Sequence, residues 1–155
     1  NPGVILGSGF WHSGSGKMIS KVAQGLSFYT KGVTGFIGVI DVVKSMIALM
    51  ESEIENERFI LVSENKTYQE VFNLIADQLG KKRPKYHVKP WQLSILWRFF
   101  WLFSKLTNTR PLLSKYAARS AHSSSFYSSE KVRKVLKAPF EPIETVIKNI
   151  CKQYP

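Results

Sequence analysis

The sequence predicts an α/β fold, with a parallel layer in its first half and a mostly helical lobe in its second. Three observations carry this. Short apolar runs alternate with helical patterns up to residue 80, the arrangement of a sheet covered by helices. A capping box from Thr67 to Glu70 marks a helix start. Pro84, Pro90 and Pro111 then break the following stretch into helical pieces.

Val4-Ile5-Leu6, closed by Gly7-Ser8-Gly9, reads as a parallel strand running into a loop. Residues 12–17 form a small-residue loop, and a helix is expected from Lys17 to Gln24, stopped by Gly25. Phe36 to Ile40 is the second expected strand. Asp41 follows at an N-cap position, and Val42, Val43, Met46, Ile47 and Met50 recur at helical spacing. Phe59 to Val62 is a third buried strand. The helix opened by Thr67 presents Val71, Phe72, Leu74, Ile75 and Leu79 on its apolar face, and Gly80 ends it. Helices are expected over 90–106 and 111–120, then from Ser129 to Leu136 and from Pro142 to Lys152, with Pro142 in the first turn.

The 155 residues fit one domain, and 44% hydrophobic content is enough to bury a core. Cys151 is the sole cysteine, so no intramolecular disulfide can form; this suits a reducing compartment and a cytoplasmic location. His12, His87 and His122 are widely separated, and no metal site is expected. Twenty-two Lys and Arg against eleven Asp and Glu leave a charge of +11. The charge reads as a solvated basic surface, or as half of a larger protein whose other half is acidic. Nucleic acid and anionic lipid are the rival partners. No basic run exceeds Lys81-Lys82-Arg83 and no zinc-finger spacing appears, so no nucleic-acid partner is expected. The chain opens at Asn1 without Met or a signal segment, on what reads as a strand entered midway through a fold. It is expected to be part of a longer protein.

The glycines near the start do not make a phosphate loop. Trp11 stands where a P-loop needs its first glycine, and Met18 where Ser or Thr would meet magnesium. A dinucleotide fingerprint built on Gly7 and Gly9 would need Gly or Ala at His12. Tyr127-Ser-Ser-Glu-Lys131 matches Tyr-x-x-x-Lys, a spacing that puts an acid/base tyrosine and a lysine on one helix face. It sits near the C-terminal end with no cofactor glycine loop before it, and is read as coincidence. Residues 91–103 are dense in aromatics (Trp91, Trp97, Phe99, Phe100, Trp101, Phe103) but too short to span a bilayer. The stretch reads as a buried helix lining a substrate pocket or a dimer contact. The alternatives are a membrane-surface helix over 91–105, with Arg98 and Lys105 beside it, and single-strand nucleic-acid stacking.

Taken in order, these segments resemble the C-terminal part of the NAD-dependent epimerase/dehydratase family, the extended short-chain dehydrogenases. Asn1-Pro-Gly-Val-Ile-Leu-Gly-Ser-Gly9 is similar to that family's Arg-Pro-x-x-Val-Tyr-Gly-Pro-Gly strand, with Ser8 in place of Pro. Phe36-Ile-Gly-Val-Ile-Asp-Val-Val43 resembles the Phe-Val-x-Val-x-Asp-Val-Ala segment. Glu57 to Val62 and Thr67 to Gly80 resemble the next strand and helix. Ser128 to Leu136 resembles the late Ser-x-Lys-x-x-x-x-Leu helix, and Pro142 begins the closing one. Within the family, the dihydroflavonol reductase and hydroxysteroid dehydrogenase-like branch looks nearest.

The resemblance implies a Rossmann-type enzyme whose mostly helical substrate-binding lobe lies here. Pro2, Gly3 and Val4 would lie beside the nicotinamide of NAD or NADP. Gly9, Phe10 and Trp11, with Phe28 and Tyr29, would face a small-molecule substrate of apolar character. The family commonly places a phosphate-binding arginine just before the Phe36 strand. Thr34-Gly35 stand there, which argues against a nucleotide sugar. The cofactor glycines and the catalytic Ser, Tyr and Lys would precede Asn1, so no catalytic residue is expected in this chain, nor tight cofactor binding by it alone. The strand Val4–Leu6 would then be a bare edge, completed by a second polypeptide such as a homo-oligomeric mate or the cofactor-binding half.

Overall fold

The computed structural model describes residues 1–107, 120–137 and 139–155. The elements are β1 (Val4–Leu6), α1 (Gly16–Ala23), β2 (Phe28–Tyr29), β3 (Val33–Gly38), α2 (Val39–Met50), β4 (Glu64–Thr67), α3 (Tyr68–Gln78), β5 (Tyr86–His87), α4 (Pro90–Thr107), α5 (Glu130–Leu136) and α6 (Ile143–Cys151). The helix expected over 111–120 lies, except for Ser120, outside the described residues.

The main sheet runs β1-β3-β4. β1 and β3 are parallel, with Val4 opposite Phe36, and β3 and β4 are antiparallel, with Val33 opposite Thr67. Alternation along the strands separates two cores. Leu6 and Phe36 face α1, α3 and α6, where Ile19, Val22, Val71, Ile75, Ile143 and Ile147 close around them. Ile5 and Ile37 face the other way, onto Val42 of α2, Val132 of α5, and Phe59 and Leu61. The sheet is thus covered on both sides, as the α/β reading requires. A second, two-stranded parallel sheet joins β2 to β5, stacking Phe28 near Tyr86 at 5.7 Å and Tyr29 near His87 at 5.5 Å.

The helix start at Thr67 has both halves of the capping box: Thr67 Oγ1 accepts the Glu70 N–H at 3.1 Å, and Glu70 accepts the Thr67 N–H at 2.7 Å. Other boundaries differ from the sequence reading. β3 ends at Gly38 and α2 begins at Val39, so Gly38 rather than Asp41 is the N-cap. A Cβ on Gly38 would meet Val146 at 3.0 Å, so the chain turns from strand to helix close against α6. Asp41, in the first turn, is buried and accepts the Glu141 N–H at 2.8 Å, a contact that sequence pattern cannot reveal.

The third expected strand is also redrawn. Phe59, Leu61 and Val62 are buried, but the run makes only a single bridge, Pro2 to Leu61. Regular pairing starts at polar Glu64–Thr67, whose strand identity comes from its partner β3 and not from its own hydrophobicity.

The largest departure is α2. Of the residues at helical spacing, only Val42 is buried; Val43 is 47% exposed, Met46 55%, Ile47 51% and Met50 82%. The inward face carries Asp41, Val42 and Ser45 instead. The outward face of this helix is the more apolar of the two.

β1 forms the outer edge of the sheet. The run ending at Leu61 bridges the chain just before it, at Pro2: the Leu61 N–H donates to the Asn1 carbonyl and the Gly3 N–H to the Leu61 carbonyl. Among the described residues no strand besides β3 pairs with Val4–Leu6. The side chains of β1 are nonetheless covered within the chain: Leu6 is buried and Val4 packs partly against the first core. What is open there is backbone, not aliphatic surface.

Cys151 is a buried member of that core, and burial pushes its thiol up to about 11. Unfolding restores an ordinary thiol near 8.5. The stabilisation linked to this group is therefore complete below the unfolded value and is lost as pH rises toward the folded one. A Cys151→Ala variant is expected to show a shallower loss of stability between about pH 8.5 and 11 than the parent, measured by denaturant melts across that range. Parallel pH profiles would contradict this.

Candidate functional site

Two cavities bear on function. The first, of about 500 Å³, lies where α1, the β2–β5 sheet, α3 and the start of α4 converge. Met18, Leu26, Phe28, Tyr68, Phe72 and Leu93 give it apolar walls. Two of these walls come from elements held by the core: Ile19 and Val22 anchor α1, which carries Met18, and Val71 and Ile75 anchor α3, which carries Tyr68 and Phe72. Tyr29 and Thr30 bring hydroxyls to the lining. Tyr68 is half-buried; burial first, and the nearby Tyr127 second, raise its pKa, so it stays a neutral hydroxyl at physiological pH. Lys17 and Lys21 also line this cavity, one turn apart on the exposed side of α1.

The second cavity, of about 420 Å³, is walled by Asn1, Pro2, Gly3, Val4, Thr34, Ile60, Val62 and Tyr127. Gly3 has a packing reason to be glycine, since a Cβ there would come within 2.4 Å of the Gly35 carbonyl oxygen.

The structure divides the residues singled out by sequence into three places. Pro2, Gly3 and Val4 share the second cavity, while Phe28 and Tyr29 line the first. Gly9, Phe10 and Trp11 form a loop of their own. Phe10 is exposed, and Trp11 packs edge-on against Tyr154 at 5.0 Å and accepts a 2.7 Å bond on its carbonyl from Ser20 Oγ. The sequence reading missed Lys17, Lys21, Tyr68, Phe72 and Leu93 as lining residues. Only the i, i+4 spacing of the lysines, on the side of α1 opposite Ile19 and Val22, gave any signal.

Tyr127 and Lys131 do not form a helix-face pair. Tyr127 precedes α5, while Lys131 pairs with Glu57 and sits over the Phe59 ring at 5.1 Å. His87 and His122 come within 6.4 Å of each other, and His122 Nε2 lies 2.7 Å from the Val88 carbonyl. Among the described residues no three His, Cys, Asp or Glu side chains are grouped to hold a metal ion. On α4, Leu93 turns inward, whereas Trp91, Ile95, Phe99, Trp101 and Leu102 are exposed. Among the described residues no helix is long and apolar enough to cross a membrane.

No family model matches the sequence, and no curated protein matches it. Solved structures do. The chain is similar to gox2253 over 98% of its own length and 47% of that chain, at 21% identity and a TM-score of 0.76. It is similar to a nucleoside-diphosphate-sugar epimerase from Pseudomonas aeruginosa at 18% identity and a TM-score of 0.74, covering 97% of this chain and 45% of that one. Human epimerase family protein SDR39U1, solved with NADPH, gives 13% identity and a TM-score of 0.74 over 99% of this chain and 48% of that one. The chain therefore shares the fold of the matching part of each of these chains, and spans somewhat under half of their length.

Proposed function

We propose that this chain is the C-terminal, substrate-binding part of an NAD(P)-dependent epimerase, dehydratase or reductase acting at a hydroxyl- or carbonyl-bearing carbon. The observation that carries the reading is a coincidence of two edges. The chain overlays almost wholly on less than half of an epimerase chain, and among the described residues β3 is the one strand paired with β1, which stands at the sheet edge. A cofactor-binding half preceding Asn1 would pair there and supply the glycine loop with the catalytic tyrosine and lysine. A second copy of the chain is the other occupant of that edge.

The residues present fit one wall of a nicotinamide site. Pro2, Val4 and Ile60 offer an apolar surface, and Gly3 keeps the backbone flush against Gly35. When bound, the nicotinamide would supply or accept hydride. Phe28 and Tyr29 would hold the substrate body, and the Gly9–Trp11 loop would border it. A cytoplasmic location fits the single, buried cysteine.

Titration with NADH and NADPH, followed by tryptophan fluorescence, tests this. The 155-residue chain alone is expected to bind neither tightly, because capture of the pyrophosphate needs the glycine loop. The protein extended upstream is expected to bind one of them at micromolar concentration. Tight binding with turnover by the chain alone would refute the division of labour.

A second reading rests on α4. Trp91, Ile95, Phe99 and Leu102 form an exposed apolar stripe on a chain of net charge +11, which suits a helix lying at an anionic membrane surface. Its signature is flotation with anionic vesicles that is lost at high salt.

A further inference from the structure

We infer that the first cavity binds a hydrophobic anion: an apolar aliphatic or ring body whose single carboxylate or phosphate group is met by Lys17 and Lys21. This rests on the substrate-binding reading above and names the class of molecule. The volume, about 500 Å³, falls within the range of small-molecule sites, roughly 300–1,000 Å³. Its walls are the side chains of Met18, Leu26, Phe28, Phe72, Val88 and Leu93, none of which can hydrogen-bond a sugar or a base. A nucleoside diphosphate would leave most of its polar groups unmatched against such walls.

Among the described residues, Lys17 and Lys21 are the two charged ones in the lining, they share one helix face, and no described carboxylate forms an ion pair with either. Both are exposed, so they stand at the mouth while the apolar walls lie behind them. Two free cations over an apolar recess match a molecule with its charge at one end. The hydroxyls of Tyr29, Thr30 and Tyr68 would orient a polar substituent on its body.

The lining residues named here all lie in this chain, so the chain itself can be tested. Calorimetric titration would compare dodecanoate, dodecan-1-ol and UDP, all below micelle-forming concentration, with phosphatidylglycerol vesicles as a fourth arm. Dodecanoate is expected to bind, dodecan-1-ol more weakly, and UDP not measurably. Replacing both lysines (Lys17→Gln with Lys21→Gln) is expected to weaken dodecanoate by about 3- to 10-fold, the size suited to two exposed cations, while leaving dodecan-1-ol unchanged. The double variant touches only exposed side chains, and its melting curve shows whether it is folded. Equal affinity for acid and alcohol, or no effect of the double variant, would overturn the role of the lysines. Tighter binding of UDP than of dodecanoate would overturn the ligand class. Binding to vesicles but to no free amphiphile would overturn the cavity and favour the α4 surface. None of these outcomes depends on NAD(P), so a failure here is distinguishable from failure of the cofactor titration.

Discussion

Phe36→Ala is expected to lower the unfolding free energy by about 3–5 kcal/mol, a large share of the roughly 5–15 kcal/mol that holds a domain together. The ring is 0% exposed and stands at the centre of β3, beside Val4 in the parallel register. It meets the Tyr68 ring edge-on at 6.0 Å, which links the sheet to the first turn of α3. Removing it opens a void that α1, α3 and α6 all border, and three anchored helices cannot close on it together. Urea melts of the parent, Phe36→Ala and Phe36→Leu would measure the effect. Leu keeps most of the volume and is expected to fall between the other two. A loss below about 1 kcal/mol for the alanine variant would mean that the first core is not built around this ring.

The second large effect concerns association and leaves the fold alone. Replacing Val43, Met46 and Ile47 together by Glu is expected to keep the melting temperature of the chain within a few degrees. Where a second polypeptide covers this outward apolar face of α2, the triple variant should weaken that association by about a hundredfold or more. Each of these side chains is roughly half exposed, and exposed substitutions usually move stability by no more than about 0.5 kcal/mol apiece. Withdrawing a large aliphatic side chain from water contributes about 1.5–3 kcal/mol, so losing three from an interface changes an association constant strongly. Light scattering across a concentration series, on the chain and on the upstream-extended protein, gives the comparison. A fall in melting temperature of more than about 10 °C would show that α2 is packed inward on this face after all.

The contrast between α2 and α3 explains how far the sequence could be read. In α3 the cap, the apolar spacing and the stop all agree, and Val71 and Ile75 are buried as the pattern requires. In α2 the periodicity is equally clear and the helix forms, but most of its apolar stripe faces outward, because spacing identifies such a stripe without saying what covers it. Asp41 sits inward, where it accepts the Glu141 backbone N–H. Such a contact is invisible to any local window. The same limit applied to Glu64–Thr67, a strand made by its neighbour, and to the β2–β5 pair, which joins residues almost sixty positions apart. At the candidate site, Phe28 and Tyr29 were legible through resemblance alone. The lysines beside them became meaningful only once folding had put an apolar recess behind them.

The closing helix α6 has a consequence for how the chain reaches its native state. Ile143, Val146, Ile147, Ile150 and Cys151 complete the core begun by Leu6 and Phe36, and Ser8 Oγ donates to Gln153 Oε1 across 145 positions of sequence. Closing so long a loop costs only slightly more entropy than closing one half as long, about 0.6 kcal/mol per doubling, yet that cost precedes any return from burial. A nascent chain released before residue 143 would carry α1 and α3 with their shared apolar surface bare. Elongation is slow beside the microsecond formation of a single helix, so this half-covered intermediate persists for seconds. For that interval the polypeptide is a client for chaperones and proteases, and its fate is decided by how soon the last nine-residue helix arrives.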